Sequence, residues 1–385
     1  MIEIRPMRTR AQRRRFLTFP WKIYANDPLW VPPVIPERLK VTDSSKGVFF
    51  VRGTAEFFAA FRDGRMVGTI CAAQDPAAIE QFGRRECVFG FFETIDDPSV
   101  ADALFAAAEA WAQERGLDSL LGPFNLDYED GYGILTDGRD RRPVILCGHT
   151  PPYYQRIVED AGFVPARAGN IALALDIDES SEKIKRIARA AELARKRGRF
   201  IIRAANLSDW RGEAKRVHHL LNNSLDPDEE GGTPWPEEAV EDLVKPFLRI
   251  ADPDLVLFAD VAQGTEAGRS IGWFAAIPDV NEILTHVNGL RYPWNYISLL
   301  LNLKRRPRCL AAKSVLVLPE YHLSGAIALL SDELYRRARA KGYEWIDLSL
   351  TSEANPQTPI IAERVGAVRY KRYQIYRRAI VRSQV

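Results

Sequence analysis

The sequence is poor in the residues that mark secreted, metal-bound or nucleic-acid-binding proteins. Four cysteines (Cys71, Cys87, Cys147, Cys309) are scattered over 385 residues with no CxxC pair, which excludes a disulfide framework and a zinc ribbon. Only five histidines are present. His218 and His219 fall on different sides of any helix, and Cys147-Gly148-His149 is followed by no second ligand pair, so no metal is expected. The longest aliphatic stretch, YISLLLNL at Tyr296 to Leu303, is well short of the ~20 residues that span a bilayer. No apolar stretch of a secretory signal follows the basic start MIEIRPMRTRAQRRRF. The expectation is a cytoplasmic protein without a membrane partner. Fifty-three basic residues nearly cancel 51 acidic ones, and the net charge of +2 gives no reason to expect a nucleic acid partner. GxxxxGK[ST], GxGxxG, HExxH and GxSxG are all absent, so nothing points to an NTPase, a simple dinucleotide enzyme, a zinc protease or a serine hydrolase.

What is present is an internal repeat. At ~150 residues per domain the length allows two or three domains, and the chain repeats itself once. Glu56–Phe61 and Met66–Ala73 read as a hairpin across an Asp-Gly turn, and Leu255–Val261 with Ser270–Ile277 as a second with a longer turn. A further strand follows each (86–95; 312–318), then a helix with an apolar stripe: Val100, Leu104, Ala107, Ala108 and Trp111 in one, Ile327, Leu330, Leu334 and Ala338 in the other. Ser99 and Ser324 are the N-cap candidates, and both helices stop at a basic residue plus glycine. Then come a short strand, an asparagine (Asn125; Asn355), a short helix ending in glycine, and a closing strand (171–175; 370–377). The first half carries an extra excursion, GPFNLDYEDGYGILTDGRDRRPVILCGHTPP. The expected organisation is a first domain over 1–178, a linker helix over 179–199 whose narrow stripe is Ile184, Ile187, Ala191 and Ala194, and a second domain over 200–385.

The junction SVLVLPEYHLSGAIALLSDELYRRARAKGY in the second half carries the chemistry. An apolar strand, Val315-Leu316-Val317-Leu318, meets Pro319 and a polar turn before Ser324-Gly325-Ala326 opens a long helix. Unpaired amides and the positive end of the helix dipole make such a turn an anion site, and Gly325 leaves room for a phosphate.

This junction, with Asn355, the Gly366-Ala367 helix end and the closing RYKRYQIYRR, resembles the acetyl-CoA-binding core of the GNAT acyltransferase superfamily. The superfamily turn is Gln/Arg-x-x-Gly-x-Gly/Ala; here His322 and Gly325 take the first two places, and Ile327 stands where the second small residue is usual. FPWKIYANDPLWVPP, GPFNLDYEDGYGILTDG, HTPPYYQRIVEDAGF and IPDVNEILTHVNG extend the resemblance over both halves, to a bacterial group of tandem GNAT-fold proteins of this length. The resemblance implies a mixed α/β fold with two tandem GNAT domains, each a twisted sheet flanked by helices.

For chemistry, the resemblance implies transfer of an acyl group, acetyl in most members, from coenzyme A to the amine of a small molecule or peptide, with no metal. Val315, Leu316, Val317, Leu318, Leu323, Ser324, Gly325, Ala326 and Asn355 would hold the acyl-CoA, and the second domain is the half expected to bind it. Glu320 and His322 would be the groups that take the proton of the attacking amine. Asp279, Asn281, Glu282, Asn125 and Tyr154 would face the acceptor, beside Asn288, Asp127, Tyr128 and Tyr153; the bland reading of Asp279 and Asn281 is helix capping. Ala362 and Val158 occupy the places where many members carry a general-acid tyrosine. That gap leaves two alternatives open: a catalytically inactive binding or regulatory protein, and an aminoacyl-tRNA-dependent transferase.

Overall fold

The computed structural model describes residues 1–76, 79–80, 83–126, 131–178, 180–224, 237–355 and 358–380. In chain order its strands are β1 (Ile2–Pro6), β2 (Thr54–Arg62), β3 (Arg65–Gln74), β4 (Glu86–Thr94), β5 (Ser119–Gly122), β6 (Ile134–Asp137), β7 (Val164–Pro165), β8 (Asn170–Asp176), β9 (Phe200–Ala204), β10 (Val256–Val261), β11 (Ser270–Pro278), β12 (Cys309–Val317), β13 (Trp345–Ser352), β14 (Val368–Gln374) and β15 (Tyr376–Ala379). They form two mixed sheets, ordered β1-β2-β3-β4-β5-β15-β7 and β6-β14-β8-β13-β12-β11-β10-β9.

Local chemistry sets the elements the repeat foretells. Asp63 and Gly64 both take positive φ (49° and 71°), the backbone of a tight turn whose twist matches the strands it joins. Helix Pro98–Gln113 begins one turn-position earlier than Ser99: Asp97 is its N-cap, accepting a 3.0 Å hydrogen bond from Ser99 N, because Pro98 fits the first helical position. In the other half Gly325, not Ser324, caps helix Ala326–Ala340. Ser324 Oγ instead donates to Tyr321 O at 2.6 Å. Leu330, Leu334 and Ala338 bury the stripe of that helix against β10 and β11, whereas Ile327 is only half-buried. Each fully buried leucine stabilises the fold by about 1.5–3 kcal/mol.

The closing strands do not stay with their own halves. β8 leaves the first half and pairs with β13, Trp345 opposite Asp176. β6 follows it into the second sheet beside β14, while β15 returns from the C-terminal end to pair with β5, Tyr376 opposite Gly122. Each sheet therefore holds strands from both sides of the linker helix, Glu182–Lys196.

The two sheets share one further feature. β4 and β5 pair in parallel only over Glu86–Val88 and Ser119–Leu121, and β12 and β13 only over Cys309–Ala312 and Trp345–Leu348; beyond those points the strands part.

Candidate functional site

The two partings differ in what fills them. In the first sheet the chain leaves β5 and folds back at once. Phe124 N bonds Phe89 O at 2.8 Å, and a Cβ on Gly90 would lie only 1.5 Å from Phe124 O. Asn125 Oδ1 then accepts from Phe91 N at 2.8 Å, so this asparagine bridges the parted strands. Asp127 and Tyr128 lie outside the described residues. Tyr154, fully buried, accepts from Thr94 N and donates to Glu93 at 2.7 Å. Burial pushes the Glu93 carboxyl up to about 7, against hydrogen bonds from Tyr154 and Tyr24 that favour its charge.

In the second sheet β13 runs on, and the gap stays open as a cavity of about 370 Å³. Its walls are largely apolar, with Trp210, Val217, Phe247, Phe258, Trp273 and Ile277 among them, and its polar lining includes Lys313, Ser349, Cys147, Asn170 and Glu213. Lys313 reaches that end through a break in register: Ser314 faces Ala275 and Ala312 faces Ala276, leaving Lys313 as the extra residue of a β-bulge. Its Nζ lies 3.4 Å from Ser349 Oγ and 3.6 Å from Asp347 Oδ2. Asp347 is wholly buried and accepts from Ser349 and, at 2.6 Å, from Tyr370 OH. Cys147 Sγ lies 3.3 Å from Ser349 Oγ. Burial disfavours the Lys313 ammonium, but the charges around it, the Asp347 carboxylate among them, outweigh burial and hold the group above the ordinary lysine value. Burial pushes the Cys147 thiol up to about 11, so it stays protonated at neutral pH. The arrangement sets one fixed cation and a carboxylate-bonded hydroxyl in the wall of a largely apolar cavity.

Lys313, Ser349, Asp347, Tyr370 and Cys147 were not among the residues expected from sequence. One signal for Lys313 is legible afterwards: a lone cation inside the apolar run CLAAKSVLVL asks for a buried partner. The partners come from β13, β14 and the first-half excursion, and nothing in their local sequence joins them.

The expected catalytic and coenzyme-binding residues gather at the outer end of β12. Glu320 is exposed and 3.5 Å from Arg269, and His322 Nε2 lies 2.9 Å from Val317 O; neither lines the cavity. Leu316, Val317, Leu318 and Ala326 are buried, Val315 is partly exposed and Leu323 fully so. Asn355 Oδ1 accepts from Thr358 N at the start of helix Thr358–Arg364. At Gly325 (φ 92°) a Cβ would lie 2.7 Å from Ala194 Cβ of the linker helix. The side of the turn left open by this glycine is thus occupied by a packed helix. A Gly325→Glu substitution would disturb helix packing before it tested any ligand.

Asp279, Asn281 and Glu282 act as a clasp. Asp279 Oδ1 accepts from Ile145 N (2.9 Å) and Asn281 N (3.2 Å), Asn281 donates to Pro143 O, and Glu282 accepts from Arg308 N and Cys309 N. They tie the first-half excursion to the second sheet beside the cavity. Asn288 accepts from Trp21 Nε1, and Tyr153 OH donates to Thr94 O. Burial pushes the Asp279 carboxyl up to about 7, although its two amide donors favour the charge. The folded chain therefore holds a proton that the unfolded chain loses near pH 4. This group's contribution is complete at low pH and lost as pH rises through about 7. Asp279→Asn keeps the acceptor oxygen and never ionises. It is expected to raise the thermal midpoint near pH 8 and leave it unchanged near pH 4; an equal shift at both would refute the assignment.

Among the described residues no group of three or more His, Cys, Asp or Glu could hold a metal, and no helix is long and apolar enough to cross a membrane.

No protein-family model matches the chain. It is 30% identical over 390 residues to the bacterial ceramide synthase of Caulobacter vibrioides, covering 98% of both chains. It is also 28% identical to protein YghO of Escherichia coli, covering 98% of this chain and 95% of that one. Among solved structures it resembles a tandem GNAT protein from the clavulanic acid biosynthesis pathway (TM-score 0.58, 12% identity, all of both chains). A GCN5-related N-acetyltransferase from Sphaerobacter thermophilus also matches (TM-score 0.52, 13% identity, 99% and 96%). The two mixed sheets and the full-length match together place the chain in the family of the Caulobacter bacterial ceramide synthase, within the tandem GNAT-fold proteins.

Proposed function

We propose that this protein is an N-acyltransferase that moves a long acyl chain from a coenzyme A thioester to the amine of a long-chain amino alcohol, forming an amide. The observation that carries the reading is the largely apolar cavity at the parting of β12 and β13, lined also by Lys313 and Ser349. A family relative named for ceramide, itself an N-acylated long-chain amino alcohol, supports it. The acyl chain lies in the cavity with its thioester carbonyl at the Lys313 end. The amine loses its proton toward the Ser349–Asp347 pair, and its nitrogen attacks the carbonyl carbon. The carbon–sulfur bond then breaks and the thiolate leaves and is protonated. The Lys313 ammonium stabilises the oxygen that becomes negative during attack. An acetyl donor, usual in the superfamily, would leave these walls empty.

The test is amide formation from a long-chain amino alcohol with palmitoyl-CoA and with acetyl-CoA. Palmitoyl-CoA is expected to be used at least about tenfold better, the equivalent of about 1.4 kcal/mol. Ala275→Trp, which fills the cavity, should abolish that preference. Equal use of both donors, or no amide from either, would overturn the proposal.

A further inference from the structure

Helix Pro293–Asn302 is inside out. Its buried residue is Asn295, whereas Trp294, Ile297, Leu300 and Leu301 are 62%, 62%, 66% and 72% exposed. The polar side faces the protein: Asn295 Oδ1 accepts from Tyr292 N, Ser298 donates to His286 O at 2.8 Å, and Asn302 donates to Ser298 O. The spacing of Trp294, Ile297 and Leu301 puts them on one outward stripe. Tyr292 stacks on Trp294 at 4.7 Å, with Arg291 over its ring. The helix runs out into the exposed Lys304-Arg305-Arg306, then Arg308, and residues 283–319 contain no Asp or Glu.

We infer that this helix docks the protein on the surface of an anionic phospholipid bilayer, lying in the interface rather than crossing it. An apolar stripe with Trp and Tyr at one end suits the headgroup boundary, and flanking cations are attracted to anionic lipid. Charge argues against a second copy of the chain in this place. A twofold contact would set this segment against itself, and residues 283–319 offer no acidic side chain to meet the Lys304–Arg308 cluster of the other copy. The expectation of no membrane partner rests on spanning length alone, and ten residues suffice to lie on a surface. The short helix Asn281–Leu284, which follows the cavity-lining strand β11, packs against this helix. The inference does not depend on the proposed reaction, because binding is read without substrate.

The experiment is flotation of the full chain with vesicles of phosphatidylcholine alone and of phosphatidylcholine mixed with phosphatidylglycerol. The wild type is expected to float with the mixed vesicles at least about tenfold better than with the neutral ones. I297Q/L301Q is expected to lose at least about tenfold in binding with an unchanged thermal midpoint, since both side chains are exposed. K304Q/R306Q should bind mixed vesicles more weakly and with less dependence on salt. A wild type that floats with neither vesicle, or an I297Q/L301Q variant that floats like the wild type, overturns the inference. So does a lipid-free dimer by light scattering that I297Q/L301Q converts to monomer without any vesicle binding.

Discussion

Lys313→Met is expected to cut kcat for amide formation by roughly 10²–10³-fold, with a small change in KM for the acyl donor. Methionine keeps the length and most of the volume of the lysine stem, so the cavity wall survives while the charge goes. The magnitude follows from the loss of one preorganised positive group facing an oxygen that becomes negative in the transition state, in a site closed to most water. The bulge that excludes Lys313 from the β11–β12 register aims it at the cavity, and the carboxylate of Asp347 keeps it charged there. A structural role alone would lower stability and leave the kcat of the folded fraction near the wild-type value. Titrating folded protein by its thermal transition separates the two. A Lys313→Met enzyme that retains more than about a third of wild-type kcat would place the reacting carbonyl elsewhere.

The largest stability effect is expected at the partner. Asp347→Ala should destabilise the chain by about 3–5 kcal/mol, measured as a drop in the urea midpoint. Asp347 has no solvent exposure, and its removal leaves the Lys313 ammonium without its counter-charge and the Ser349 and Tyr370 hydroxyls without their acceptor. Asp347→Asn keeps one acceptor oxygen for Tyr370 and should cost less. β13 lies between β12 and β8, so the damage spreads to a strand contributed by the first half. A loss below about 1 kcal/mol for Asp347→Ala would show that the ion pair is replaced by water from the cavity.

Much of the architecture is legible in the sequence because it rests on local rules. The Asp63-Gly64 turn, the two hairpins, the stripes of Pro98–Gln113 and Ala326–Ala340, and the linker helix each follow from spacing and turn chemistry within about twenty residues. The repeat follows from reading those units twice. The N-caps differ by two positions and by one, Asp97 for Ser99 and Gly325 for Ser324, because nearby residues compete for the cap and the backbone decides.

The site is less legible because it depends on pairings between distant segments. Lys313, Asp347, Tyr370 and Cys147 come from three strands and a loop that meet only when β8 and β6 cross into the second sheet. Two stretches that look equivalent in the repeat, after β5 and after β13, end differently. Phe124 folds back and leaves the first parting a cavity of about 140 Å³, and Ser349 and Leu350 run on beside one of about 370 Å³ at the second. The approach of Ala194 to Gly325 is likewise absent from the local sequence, since a missing Cβ admits whichever neighbour the packing brings.

By itself, then, the sequence determined a duplicated α/β chain without metal motifs, disulfide framework or spanning helix, because periodicity, turns and composition act over short range. Only the tertiary structure decided which strands change sheets, which parting keeps the wider cavity, which lysine is held charged in its wall and which face of Pro293–Asn302 is left outside. Those are outcomes of long-range packing, and no window of sequence contains both partners of the contacts that settle them.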